Sequence, residues 1–181
     1  MQNRRRRAVF FDKDGVVNEL VDRGGIVACG KVFNLTAPWT PEELRIYEDV
    51  PECVAKVRAL GFAAVVITNQ PDVSYGMMTE VDLPDILGLV LDLGFDDIFF
   101  CPHGRYDICD CRKPKPGMLL QAAKKWNIDL SGSFMIGDTE KDVGAVFSAG
   151  CIPIIIDRKY NQGVVVDKRI TSLSELPSLL V

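Results

Sequence analysis

Two short runs in this sequence carry aspartates in spacings that could do chemistry: Asp12-Lys13-Asp14-Gly15, and Gly137-Asp138 followed by Asp142. Asp12, Asp14 and Asp138 together make a hard-cation site of the kind that takes Mg²⁺, an ion that prefers carboxylate and carbonyl oxygens, keeps waters and bridges to substrate phosphate. Acidic groups brought to one point repel one another, and a cation between them gives their convergence a reason. Taken singly, each Asp is better read as the cap of the turn or helix that follows it. The D-x-D-G and G-D-x-x-x-D runs taken together weigh toward the metal.

A second cluster has softer donors. Cys101-x-His103 and Cys109-x-Cys111 place three thiols and the chain's single imidazole in one short stretch. That is a Cys₃His set, the composition of a closed tetrahedral structural Zn²⁺ site with no open position for catalysis. Buried thiols also serve as small hydrophobes, but four ligand types in one long polar loop favour zinc. Its expected job is to fix the loop that presents Arg112 and Lys113. Cys29, Cys53 and Cys151 fit no ligand pattern and are expected in the core.

The elements that must position these groups alternate short apolar strands with amphipathic helices, the pattern of an α/β domain with a mostly parallel sheet. Strands are predicted over Ala8–Phe11, Phe62–Ile67, Asp97–Cys101, Phe134–Ile136 and Ile152–Ile156. Helices are predicted over Pro51–Leu60, Thr79–Leu93, Pro116–Trp126, Thr139–Ala149 and Ser172–Leu180. In an open parallel sheet, ligands bind beyond the carboxyl ends of the strands. Those ends run into Asp12–Asp14, Thr68-Asn69-Gln70, Cys101–His103 and Gly137–Asp142. Residues 18–49 lack a sustained period and read as a loop or small flap, and the long polar loop 102–116 reads as functional.

Composition bounds the rest. The chain has 181 residues, 48% of them hydrophobic, which suits one globular domain over residues 1–181 with a real core. A net charge of −4 argues against a general polyanion binder, and the basic Arg4–Arg7 reads as a solvated tail, so no nucleic-acid partner is expected. One His excludes metal centres built on two or three imidazoles. The apolar run after the basic start is too short for an export signal, and no run approaches a membrane span. A soluble cytoplasmic monomer without a membrane partner is expected.

Asp12-Lys13-Asp14-Gly15-Val16, Thr68-Asn69, Lys113-Pro114, and Gly137-Asp138 with Asp142, in that order at strand ends, resemble the four motifs of the haloacid dehalogenase superfamily. The resemblance implies a Rossmann-like three-layer fold and phosphoryl transfer. Asp12 would be the nucleophile that becomes a phosphoaspartate, and Asp14 the general acid and base. Thr68 and the backbone amide of Asn69 would hold the phosphoryl oxygens, with Lys113 neutralising their charge. By the same resemblance Mg²⁺ would be held by the Asp12 carboxylate, the Asp14 carbonyl and Asp138, with Asp142 supporting them.

Cys-Pro-His followed by Cys-Asp-Cys-Arg-Lys-Pro is similar to the branch that contains heptose bisphosphate phosphatases and histidinol-phosphate phosphatases. That branch implies a minimal cap, an Arg112 that contacts the substrate, and a small phosphorylated metabolite as partner. The heptose enzymes remove the 7-phosphate of D-glycero-D-manno-heptose 1,7-bisphosphate. The alternatives are histidinol phosphate or another small sugar phosphate, and, in another class, a zinc-stapled binding module without catalysis. One position departs from the heptose pattern: Tyr75 stands where those enzymes carry an Arg before Gly, with Arg105 or Lys31 as possible substitutes. Trp39 in the flap is a candidate for lining a sugar pocket, whereas Trp126 is expected to pack.

Overall fold

The computed structural model describes residues 5–28 and 30–180. In chain order the strands are β1 (Ala8–Phe11), β2 (Val21–Ala28), β3 (Lys31–Thr36), β4 (Ala63–Asn69), β5 (Asp97–Cys101), β6 (Phe134–Gly137), β7 (Ile152–Ile156) and β8 (Arg169–Ile170). The helices are α1 (Val50–Ala59), α2 (Asp82–Leu91), α3 (Gly117–Trp126), α4 (Glu140–Ala149) and α5 (Leu176–Leu179). Six strands form a parallel sheet in the order β5-β4-β1-β6-β7-β8, and β2 pairs with β3 as a separate antiparallel hairpin. This is the Rossmann-like α/β arrangement expected from the sequence.

A strand buried on both faces should be apolar at every position, and β1 is: Ala8, Val9, Phe10 and Phe11 are all fully buried. Its side chains alternate between two cores. Val9 and Phe11 join Val54 and Val57 of α1 and Leu173 and Leu176 near the carboxyl terminus. Ala8 and Phe10 join Met118, Leu119 and Ala122 of α3 and Val146 of α4 on the other face. Each such large side chain contributes about 1.5–3 kcal/mol on burial, so the central strand is anchored from above and below. Cys53 and Cys151 pack in these cores as expected, while Cys29 lies outside the described residues.

Helix boundaries follow local chemistry. α4 begins with a capping box between Thr139 and Asp142 and ends on Gly150 at φ 78°, a left-handed position that favours glycine. α2 starts three residues later than its apolar period suggests, after a turn in which the Thr79 hydroxyl accepts from Asp82 N at 3.1 Å. Ser172–Leu180 is not one helix. A Ser172–Glu175 capping box closes a 3₁₀ turn over Leu173–Glu175, and the four-residue α5 follows. Within the 18–49 flap, the β2–β3 register breaks between Asp22 and Ile26, where Gly24 and Gly25 take positive φ. That irregularity erases the alternation by which a hairpin is recognised in a sequence. The two-residue strand β8, pairing with β7, is too short to show in a sequence.

Candidate active site

The carboxyl ends of β1, β4 and β6, the loop after β5 and the first turn of α4 meet at one place. Asp12 leaves β1 with its Oδ1 accepting from the Lys13 amide at 2.7 Å and pairing with Lys113 Nζ at 2.7 Å, so Oδ2 makes neither contact. Lys113 arrives on the loop after β5 and is 3% exposed. Its Nζ also donates to the Ile67 carbonyl at 3.0 Å and pairs with Asp142 at 2.6 Å. The Asn69 side chain clamps this lysine's backbone from both sides, accepting from Lys113 N at 3.0 Å and donating to Lys113 O at 3.2 Å. Thr68 is buried at the end of β4, its hydroxyl accepting from Gln70 Nε2 at 3.0 Å.

Ligand atoms of Asp12, Asp138 and Asp142 all lie within 4.8 Å of one another, and all three residues are buried. Burial, then the neighbouring Asp142 charge, pushes the Asp12 carboxyl well above its ordinary value despite Lys113. The same two causes raise Asp138 to about 6. Asp142 goes the other way: burial acts against its charge, but the Lys113 ammonium outweighs it and holds the carboxyl low. Burial likewise opposes the Lys113 charge, and Asp12 and Asp142 overcome it and raise the ammonium's pKa. The Asp138 Oδ1 is buried with no hydrogen-bond partner. An orphaned carboxylate oxygen among crowded acids fits a hard divalent cation such as Mg²⁺.

Backbone geometry protects this arrangement. Gly15 sits at φ 87°, and a Cβ there would run into the Asp138 carboxylate and the Tyr160 hydroxyl. A Cβ on Gly137 would strike Asp142. Asp142 is occupied by the protein: Oδ1 faces Lys113, and Oδ2 accepts from the Thr139 amide at 3.0 Å and its hydroxyl at 2.5 Å.

Asp14 stands beside the carboxylate cluster and is held separately. Its Oδ1 accepts from Lys13 Nζ and, at 3.1 Å, from Asn18 Nδ2, and its Oδ2 accepts from Gln70 Nε2 at 2.6 Å. Lys13, Gln70 and Asn18 are fully buried site residues that the sequence did not single out; nor did it single out the half-exposed Tyr160, which donates to Asp138 Oδ2. Their signal is faint: a lysine between two aspartates reads as surface charge, and the others lie in turns or far along the chain.

The soft-donor cluster assembles as the spacing predicts. Cys101 Sγ lies 3.4 Å from His103 Nδ1, 3.8 Å from Cys109 Sγ and 3.1 Å from Cys111 Sγ, and His103 Nδ1 is 3.2 Å from Cys111 Sγ. All three cysteines are free thiols. A tetrahedron with Zn–S bonds near 2.3 Å has an edge of about 3.8 Å, so the four ligands are nearly in place. Arg112 next to it donates from Nη1 to the His103 carbonyl at 2.8 Å, which ties Arg112 to the Cys/His cluster.

Two cavities open over the site. An inner one of ≈ 320 Å³ is lined by Asp12, Asp14, Thr68, Asn69, Lys113 and Asp138 among others. An outer one of ≈ 930 Å³ carries Arg105, Arg112, Lys115 and Lys141 with Tyr75 and Tyr106. Tyr75, at the departure from the heptose pattern, accepts from Arg105 N at 2.7 Å through its hydroxyl, bracing the outer wall. The Lys31 side chain lies outside the described residues. Phe33 of the hairpin closes both cavities, so the flap does form one wall. Trp39 stacks under Arg23, whose guanidinium carbon is 3.7 Å from the ring centroid, and Trp126 packs at the edge with Nε1 donating to Asp97 at 2.7 Å.

With that geometry in view, the relationships of the chain are plain. A family model for haloacid dehalogenase-like hydrolases matches residues 19–150, and the chain belongs to that family. Its curated relatives make it an enzyme of the phosphatase class. A D-glycero-beta-D-manno-heptose-1,7-bisphosphate 7-phosphatase of Rhodopseudomonas palustris is 36% identical over 159 residues, covering 81% of each chain. A protein of the same name from Pasteurella multocida is 32% identical and covers 97% of each chain. The crystal structure of D,D-heptose 1,7-bisphosphate phosphatase from B. bronchiseptica, complexed with magnesium and phosphate, superposes with a TM-score of 0.78 at 27% identity, covering 96% of this chain and 97% of that one. Among the described residues no helix is long and apolar enough to cross a membrane.

Proposed function

We propose that the protein is a Mg²⁺-dependent phosphomonoester hydrolase that removes the 7-phosphate of D-glycero-D-manno-heptose 1,7-bisphosphate through a phosphoaspartate on Asp12. The observation that carries this reading is the buried assembly of Asp12, Asp138 and Asp142 around Lys113, opening into a cavity whose outer wall is cationic. The scissile phosphate occupies the inner cavity, with its oxygens on Thr68, the Asn69 amide and Lys113, and the second phosphate reaches the outer cations, Arg112 foremost. The heptose bisphosphate for which these relatives are named supports the choice of sugar.

The chemistry follows from the chain's own groups. Asp12 Oδ2, which Lys13 and Lys113 leave open, attacks phosphorus as the bond to the sugar oxygen breaks. Asp14 gives its proton to that leaving oxygen. It then takes one from a water molecule, which attacks the phosphoaspartate and frees inorganic phosphate and Asp12. The Asp12 carboxylate, the Asp14 carbonyl and Asp138, with Asp142 in support, would hold Mg²⁺, which would supply charge neutralisation for the transferred group. Zn²⁺ on Cys101, His103, Cys109 and Cys111 fixes the loop that carries Arg112 and Lys113. We place the enzyme in the cytoplasm as one domain and a monomer.

Phosphate release from a panel of sugar phosphates, histidinol phosphate and 4-nitrophenyl phosphate, with and without Mg²⁺, tests the reading. The heptose bisphosphate should be the best substrate. Preference for histidinol phosphate would change the substrate and keep the chemistry, and no Mg²⁺-dependent release from any of them would leave a zinc-stapled binding module.

A further inference from the structure

One buried carboxylate near the site is used by none of the steps above. Asp72, in the turn after β4, is 9% exposed and lines both the inner and the outer cavity. Its Oδ1 accepts from Trp39 Nε1 at 3.2 Å. Trp39 is in turn fixed by the Arg23 guanidinium over its ring and by its own amide donating to Glu43 at 2.8 Å, and Arg23 pairs with Glu43 at 2.6 Å. The flap therefore holds the Asp72 carboxylate through Oδ1, on a residue that lines both cavities. Burying a carboxylate is costly unless something compensates it, and the Trp39 N–H with Asp72's own backbone amide are few donors for a group that can accept several.

Resting on the proposed phosphatase reading, we infer that Asp72 is a specificity residue, accepting a hydrogen bond from a hydroxyl on the substrate's carbon chain where it passes from the inner to the outer cavity. The junction selects that chemistry by exclusion. A second phosphate at Asp72 would meet a carboxylate, which pushes the far anion outward to Arg105, Arg112, Lys115 and Lys141. An ammonium at the same point would meet Arg112, Lys113 and Lys141, which line both cavities with Asp72. An uncharged donor satisfies Asp72 without opposing either set. Burial raises the Asp72 pKa, and a hydroxyl donor arriving at the carboxylate answers that cost directly.

The test compares kcat/KM for heptose bisphosphate, histidinol phosphate and 4-nitrophenyl phosphate, the last of which has no chain hydroxyl. A hydrogen bond to a charged group is worth about tenfold or more in such a ratio. Asp72→Ala should lower the heptose-to-nitrophenyl ratio by about tenfold or more. Asp72→Asn, which keeps an acceptor for the same donors, should lower it by about threefold. Trp39→Phe, which removes the orienting N–H, should move it in the same direction. Equal losses on heptose and nitrophenyl substrates, or an unchanged ratio, overturn the inference. A selective loss on histidinol phosphate overturns the hydroxyl assignment in favour of an ammonium. If the wild-type enzyme releases phosphate from none of the three, the phosphatase reading fails and the inference with it; turnover of both heptose and nitrophenyl substrates with the ratio unmoved by Asp72→Ala sinks the inference alone.

Discussion

Single residues of this site do their work through a few short contacts. Asp12→Asn removes the oxygen proposed as the nucleophile and keeps the side chain's shape, so turnover should fall on the order of a thousandfold or more. The thermal midpoint, read by circular dichroism, should stay within a few degrees of wild type. Lys113 is different because it neutralises two buried acids. Lys113→Met strands both, and in metal-free buffer it should lower stability by about 3–5 kcal/mol, measured by urea unfolding. A loss under 1 kcal/mol would mean the acids are not ionised there. The aspartates were legible because strand ends are where a parallel sheet binds ligands. Gln70 and Tyr160 were not, because what recruits them is a neighbour in space: Gln70 reaches Asp14 across 56 positions and Tyr160 reaches Asp138 across 22.

Among the elements, the thiol loop and the flap hairpin carry the site's walls. The loop's Cys/His cluster was readable from residue types alone, because Cys and His in that spacing have few other uses. The hairpin was not, because the Asp22–Ile26 irregularity broke its period, and its contribution to the site is a tertiary one, through Phe33 and the Arg23–Trp39 stack. Cys109→Ser should reduce bound metal measured by elemental analysis from about one zinc per chain to a small fraction. It should also cut kcat at saturating Mg²⁺, since Arg112 is tied to the His103 carbonyl. Full activity in the zinc-depleted variant would confine the metal to stability. Tyr75→Phe breaks the bond to Arg105 N. It should raise KM for a bisphosphate several-fold with kcat nearly unchanged, because the brace lies at the outer wall, away from the reacting atoms.

For the molecule as a whole, the carboxylate cluster sets activity against stability. Without a cation, three acids share one site with a single buried lysine, and that crowding destabilises the fold. Asp138→Asn keeps an acceptor for Tyr160 and removes one charge. In chelator it should therefore unfold at a higher temperature than wild type, by the equivalent of about 1 kcal/mol. Saturating Mg²⁺ should stabilise the wild type by about 2–3 kcal/mol at a hundred times its dissociation constant, and the variant hardly at all. A wild-type midpoint indifferent to Mg²⁺ would contradict the site. The α/β class and five of the eight strands were readable from buried apolar runs, but strand order was not, since any parallel arrangement of those runs satisfies the same pattern.

That order has a consequence for how the protein is made. β1 lies between β4 and β6, so one of its edges waits for a partner that leaves the ribosome some 120 residues later, after Phe134–Gly137 is complete. Until then a fully apolar strand presents unpaired N–H and C=O groups along that side. The same late segment brings Asp138 and Asp142. A chain cut short of it would be both catalytically silent and adhesive, which makes the moment β6 docks the event that ends the hazard and completes the enzyme together.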